Sequence, residues 1–194
     1  MGVLDGLHRI GNESPKAQAQ VGWMYANGKG VPKDMGEAAK WVRKAAEGGL
    51  AESQYNLGVM YLKGDGVPKD SVEAVKWFRK AAEQGEAAAQ HSIGHMYAHG
   101  DGVPQDSAEA VKWFRKGAVQ GNAQCQSYLG VMYSMGFGVP KDIVQAHVWW
   151  NIAAANGRED SRRDLATLER EMTAEQKAEA MKLARELFQE LQKN

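Results

Sequence analysis

A single cysteine, Cys125, stands in the 194 residues. An intramolecular disulfide is excluded, and with it a small fold stapled by such bridges. Net charge is just as scarce, since 24 Lys and Arg balance 24 Asp and Glu. A nucleic-acid-binding face would leave a basic surplus, as would a patch facing acidic lipid, so neither partner is expected. No apolar run approaches the roughly 20 residues of a membrane-spanning helix, so membrane insertion is not expected. The opening MGVLDGLHRIGN lacks the basic start and apolar core of a secretory leader. The compartment stays open: cytoplasmic or, if a leader was trimmed, periplasmic or secreted. Catalytic signatures are missing too. There is no Ser-x-x-Lys motif, no Ser, His and Asp set, and no Walker loop, because the Gly-Asp-Gly and Gly-Lys-Gly turns run into no Lys-Ser or Lys-Thr. No enzyme activity and no cofactor are expected.

What is present is repetition. GWMYANGKGVP begins at Gly22 and returns as GVMYLKGDGVP at Gly58, GHMYAHGDGVP at Gly94 and GVMYSMGFGVP at Gly130, each 36 residues after the last. A fixed period of this length marks a repeat array, in which length counts units rather than domains. Four units follow, 14–49, 50–85, 86–121 and 122–157, between a lead-in over 1–13 and a closing segment over 158–194.

Each unit reads as helix, loop, helix. Ser14-Pro15 has the form of an N-cap and first helical residue, and the helix runs to Asn27, where Gly28 stops it. In the loop Gly28 to Pro32, Val31 is placed to enter the core. A second helix starts at Asp34, which with Glu37 has the form of a capping box. Asp70 with Glu73, Asp106 with Glu109, and Asp142 with Gln145 repeat the device. These evenly spaced carboxylates are helix caps rather than an acid–base set. First helices are expected near 51–63, 87–99 and 123–135, and second helices near 70–84, 106–120 and 142–156. Gly22, Gly58, Gly94 and Gly130 each sit inside a helix at about 1 kcal/mol, which predicts close helix–helix approach. Tyr25, Tyr61, Tyr97 and Tyr133 face the same way, and Trp41, Trp77, Trp113 and Trp149 anchor the second helices as core.

The pattern then decays. Leu165 and Ala166 keep the register one period beyond Leu129 and Gly130, but Glu169 stands where a tyrosine is due. Residues 160–171 are thus a degenerate fifth first-helix. Thr173 with Gln176 caps a last helix, 174–191, whose charged outer face suits the end of an array.

The string A-x-x-Q-x-x-L-G-x-M-Y-x-x-G-x-G-V-P-x-D-x-x-x-A-x-x-W-x-x-K-A-A-x-x-G, read from Ala51 to Gly85, resembles the Sel1-like repeat, a relative of the tetratricopeptide repeat. The resemblance covers residues 14–157. It implies an all-α fold, an α-solenoid wound as a right-handed superhelix of four helix-turn-helix repeats with C-terminal capping helices. It also implies a non-enzymatic adaptor or scaffold that binds a protein or peptide. A cysteine-rich branch of the family carries paired cysteines in each repeat, and this chain lacks them. By similarity with tetratricopeptide repeats, the concave groove would be lined from the first helices. Repeat one offers Ala19, Trp23, Ala26 and Asn27, and repeat two Tyr55, Val59, Leu62 and Lys63. Repeat three offers His91, His95, Ala98 and His99, and repeat four Ser127, Val131, Ser134 and Met135.

Three features stand out. Trp23 lies outside the regular tryptophan set and is either an exposed aromatic anchor or packed against residues 1–13. His91, His95 and His99 share one helical stripe, which reads as a polar groove patch. Metal chelation and charge gain between pH 7 and 5 are the lesser readings, with no Cys or carboxylate in place to complete a metal site. Cys125, aligned with Ser53 and Ala89, reads as a buried, inert thiol. The leading function is a scaffold that binds a partner segment in the groove. The alternatives are an envelope or secreted protein holding cell-wall material or a small ligand, and a structural module of a larger assembly. Oligomeric state is left open.

Overall fold

The computed structural model describes residues 14–193, so the expected lead-in over 1–13 lies outside the described residues. Ten helices and no strand are present among them. They are α1 (Pro15–Asn27), α2 (Met35–Glu47), α3 (Ala51–Lys63), α4 (Ser71–Glu83), α5 (Ala87–His99), α6 (Ser107–Val119), α7 (Ala123–Met135), α8 (Ile143–Ala155), α9 (Glu159–Leu168) and α10 (Ala174–Leu191). The first-helix ranges match the sequence expectation, while second helices start and end one residue inside it. The expected helix 160–171 runs instead from Glu159 to Leu168, and the chain turns over 169–172 before the Thr173 cap. The fold is all-α, of the solenoid class. Contacts divide the chain into an N-terminal unit, with α1–α4 and residues 101–103, and a C-terminal unit, with most of α5 and all of α6–α10.

The starts of the second helices behave as expected in one half only. The Asp34, Asp70, Asp106 and Asp142 carboxylates each accept a backbone N–H two or three residues on. Reciprocal capping is seen at Thr173 and Gln176. Glu37, Glu73 and Glu109 instead pair with Lys40, Lys76 and Lys112 one turn later, so the box form is corrected to an Asp cap followed by an i,i+3 ion pair.

The in-helix glycines mark close approach. A Cβ on Gly58 would lie 2.7 Å from the Phe78 ring, and one on Gly94 would lie 2.7 Å from Phe114. At Gly130 the Trp150 indole occupies that space, and its Nε1 donates to the Ser127 carbonyl at 3.1 Å. The core of each unit is the seam between first and second helices. Leu57, Phe78, Phe114 and Leu129 are fully buried, and Trp41, Trp77, Trp113 and Trp149 nearly so. Val31 is buried as expected, whereas Val67, Val103 and Val139 are half-buried.

A buried carboxamide relay ties successive helices together. Gln54 donates to the Ala46 carbonyl at 3.1 Å and accepts from Gln84 at 2.7 Å. Gln126 does the same with the Ala118 carbonyl and Asn156, and Gln90 accepts from Gln120. Gln18 has Gly48 where Gln84, Gln120 and Asn156 stand in the other repeats, and its Oε1 is buried without a partner. After the fourth repeat, Arg162 takes the glutamine's place and reaches the Ala154 carbonyl at 3.5 Å.

Candidate functional site

In the N-terminal unit, α1 and α3 flank α2 and leave an apolar groove of about 260 Å³. Ala19, Trp23 and Ala26 supply one wall and Val59 and Met60 the other, with Met35 and Val42 below. The groove exists because α1 and α3 are successive first helices with one second helix between them. Trp23 is 55% exposed, so its large apolar surface stands at the rim rather than in the core. Asn27, one turn on, donates from its side chain to the Trp23 carbonyl at 2.9 Å. Glu52 and Asn56 are polar members of the lining, so no strong field of one sign fills the groove.

Of the residues expected to line a groove, the structure brings Ala19, Trp23, Ala26 and Val59 together here. Tyr55 is half-buried with its ring 5.6 Å from that of Phe78, so it packs into the α3–α4 seam. Leu62 is half-buried and Lys63 exposed at the end of α3.

In the C-terminal unit, a smaller groove of about 200 Å³ joins Ala98 and His99 of α5 to Val131 of α7, with Tyr128 and Phe137 completing its apolar wall. Phe137 is half exposed. It was missed in the sequence, where the readable signal is GFG against GKG and GDG in the sister loops. Met135 is 61% exposed and Ser134 donates to the Val131 carbonyl. Ser127 corrects the expectation. It is buried, hydrogen-bonded to the Ser161 hydroxyl at 2.9 Å, and belongs to the junction with α9.

The three histidines do not form one polar patch. His91 packs beside the stacked pair of Phe114 and Tyr128, its ring centre 6.2 and 5.4 Å from theirs, which lie 4.8 Å apart. Burial, then the neighbouring His95, pull its pKa down to about 4, so His91 stays neutral between pH 7 and 5. The lesser reading of the stripe, a charge gain between pH 7 and 5, is corrected at this position. His95 and His99 stack face to face at 4.0 Å, and His99 Nδ1 lies 2.9 Å from the His95 carbonyl. Stacked rings do not aim their nitrogens at one point. Among the described residues no group of three or more His, Cys, Asp or Glu is arranged to hold a metal ion.

Cys125 is fully buried, and desolvation pushes its thiol up to about 12. It packs against Gly117, where sister helices carry Ala45 and Ala81. Other contacts were not foreseen. Lys44, Lys80 and Lys116 lie over the rings of Trp41, Trp77 and Trp113 at 4.2, 4.4 and 4.1 Å, one turn along each second helix. Arg43 and Arg115 donate to the hydroxyls of Tyr61 and Tyr133 in the next repeat, which gives those tyrosines a polar role beside packing.

The Sel1 repeat model matches residues 15–50, 51–86, 87–122 and 123–157. The chain belongs to the Sel1 repeat family. Solved structures agree with that assignment. A protective antigen of uropathogenic Escherichia coli displaying an SLR fold is 40% identical with a TM-score of 0.81, over 87% of this chain and 36% of that one. This chain therefore spans about a third of the length of that relative. A Sel1 repeat protein from Oxalobacter formigenes is 37% identical with a TM-score of 0.75, over 89% of this chain and 73% of that one. Cysteine rich protein B of Helicobacter pylori is 24% identical with a TM-score of 0.56, over 69% of this chain and 96% of that one, and shares the fold. No curated protein matches. Sel1 repeat proteins are in general non-enzymatic scaffolds for protein interaction. Among the described residues no helix is long and apolar enough to cross a membrane.

Proposed function

We propose that this Sel1 repeat protein is a non-enzymatic scaffold that binds a segment of a partner protein along its first helices, with the groove at Trp23 as the principal contact. The observation that carries this reading is the exposed Trp23 indole standing over an apolar groove that two first helices frame. Tryptophan is among the residue types enriched at interface hot spots. The groove walls are helical and rest on a packed α2, so the binder orders little of itself on association. Within the other unit, Tyr128, Val131 and Phe137 offer the same kind of surface. Where repeats share a helix frame, the residues that vary at groove positions carry specificity: Trp23 in one repeat, Val59 and Val131 in others.

The test is capture from the source cells with wild-type protein, Trp23→Ala and Val59→Glu in parallel. Loss of the same captured protein in both variants, with unchanged thermal unfolding, is expected. A captured set unaltered by either substitution overturns the groove assignment.

A further inference from the structure

A cavity of about 490 Å³ lies under the C-terminal helix and shares no lining residue with either first-helix groove. It forms where three helices end, α6 at Val119, α8 at Ala155 and α10 at Leu191. Val119, Ile152, Phe188 and Leu191 make its apolar wall. Its polar wall is built from side-chain amides, those of Gln120, Gln126, Asn156 and Gln192. Among the described residues no ionisable side chain lines it.

That lack of charge is local. Val119 stands where the first two repeats carry Glu47 and Glu83, and Ile152 stands where the first three carry Lys44, Lys80 and Lys116. Ile152 is buried against the cap, but Val119 is 46% exposed, an apolar side chain at a position its sister repeats give to a carboxylate. Three of the amides are held in place and not used up. Gln126 is fully buried, donates to the Ala118 carbonyl at 3.0 Å and accepts from Asn156 at 2.8 Å. Asn156 keeps its carbonyl oxygen and a second N–H. Gln120 donates to Gln90 and to the Lys116 carbonyl and keeps its own oxygen.

The volume falls within the range of small-ligand sites, about 300–1,000 Å³. A charged ligand would lose water here without meeting a counter-charge. A carboxamide both donates and accepts, so several in one wall match another amide best. We propose that this cavity is a second binding site, taking an uncharged ligand that joins a branched apolar group to amide groups. A free capped amino acid and the same unit inside a peptide chain present that chemistry equally.

The test uses the full chain and N-acetyl-leucinamide, with N-acetyl-leucine and leucinamide as its anionic and cationic counterparts at pH 6.5. Binding is read from the side-chain NH₂ signals of Gln120, Gln126 and Asn156 by NMR titration. The neutral probe is expected to shift these signals saturably and to bind about tenfold or more tighter than either charged one. Val119→Glu restores the residue of the sister repeats and so keeps the fold. It is expected to weaken the neutral probe about tenfold and to favour leucinamide. Trp23→Ala is expected to leave every titration unchanged, which separates this site from the proposed groove. Acetyl-Ala-Leu-Ala-amide identifies the source. Binding at least as tight as the capped amino acid assigns a peptide chain, and weaker binding assigns a free small molecule. Charged probes that bind as well as the neutral one, or the absence of saturable shifts at these three residues, overturn the proposal.

Discussion

Nε2 of His147 lies 3.0 Å from Oε1 of Glu169, tying a fully buried imidazole on α8 to the residue that ends α9. Both residues break the repeat. Sister positions to His147 hold Ala39, Val75 and Val111, and Glu169 stands one period after Tyr133. Each departure alone looks like decay of the pattern, and together they are one contact that holds α9 against α8.

Removing Glu169 strands a buried polar ring. Glu169→Ala is expected to lower unfolding free energy by about 1–3 kcal/mol in urea denaturation. His147→Val is expected to recover most of that loss in the Glu169→Ala background, because the buried imidazole left without its carboxylate is then gone. A double-mutant cycle with zero coupling would show that the contact holds nothing.

The glycines inside the first helices bear on packing rather than on turns. Phe78 fills the space a Gly58 side chain would enter, so Gly58→Ala is expected to cost about 1–3 kcal/mol despite alanine's better helix propensity. A stabilised Gly58→Ala in thermal unfolding would refute the close-approach reading.

Four copies in register made the period, the helix ranges and the buried faces legible, because each copy repeats the same local answer. Contacts at positions that vary between copies were less so. Ser127 lies at a groove position by spacing, yet α9 covers it, and no pattern in 123–135 announces that neighbour. The Lys over each Trp was written in the sequence as W-x-x-K, but an aromatic at helical spacing signals core before it signals a cation platform. Part of the proposed groove was accessible through the resemblance to tetratricopeptide repeats, namely Ala19, Trp23, Ala26 and Val59. The rest of its apolar lining, Met35, Val42 and Met60 among it, comes from positions whose own spacing points them at the core.

Cys125 and Gly117 form another coupled departure. The sulfur occupies the space an alanine methyl would take at Gly117. Gly117→Ala alone is expected to destabilise by about 1–2 kcal/mol, and Gly117→Ala with Cys125→Ala to return to wild-type stability or better, as in the sister pair of Ala81 in the second repeat and Ala89 in the third. With the thiol raised to about 12, iodoacetamide at pH 8 should label the native protein far more slowly than the urea-unfolded chain. Equal labelling rates would show that Cys125 is not enclosed.

His91 predicts the direction of acid sensitivity. Its pKa is about 4 in the folded chain against 6.5 for the free side chain, so between those values the unfolded chain binds a proton that the folded chain refuses. Stability from this group is therefore complete above pH 6.5 and falls as pH drops toward 4. The shift corresponds to about 3 kcal/mol at most, reduced to about 1–2 kcal/mol because part of the ring reaches solvent. His91→Tyr places there the residue that Tyr55 supplies in the second repeat. The difference in urea midpoint between wild type and His91→Tyr is expected to widen in favour of the variant from pH 7 to pH 4.5. A difference that stays constant over that interval would mean that His91 takes up its proton equally in both states, and that Phe114 and Tyr128 do not shield it.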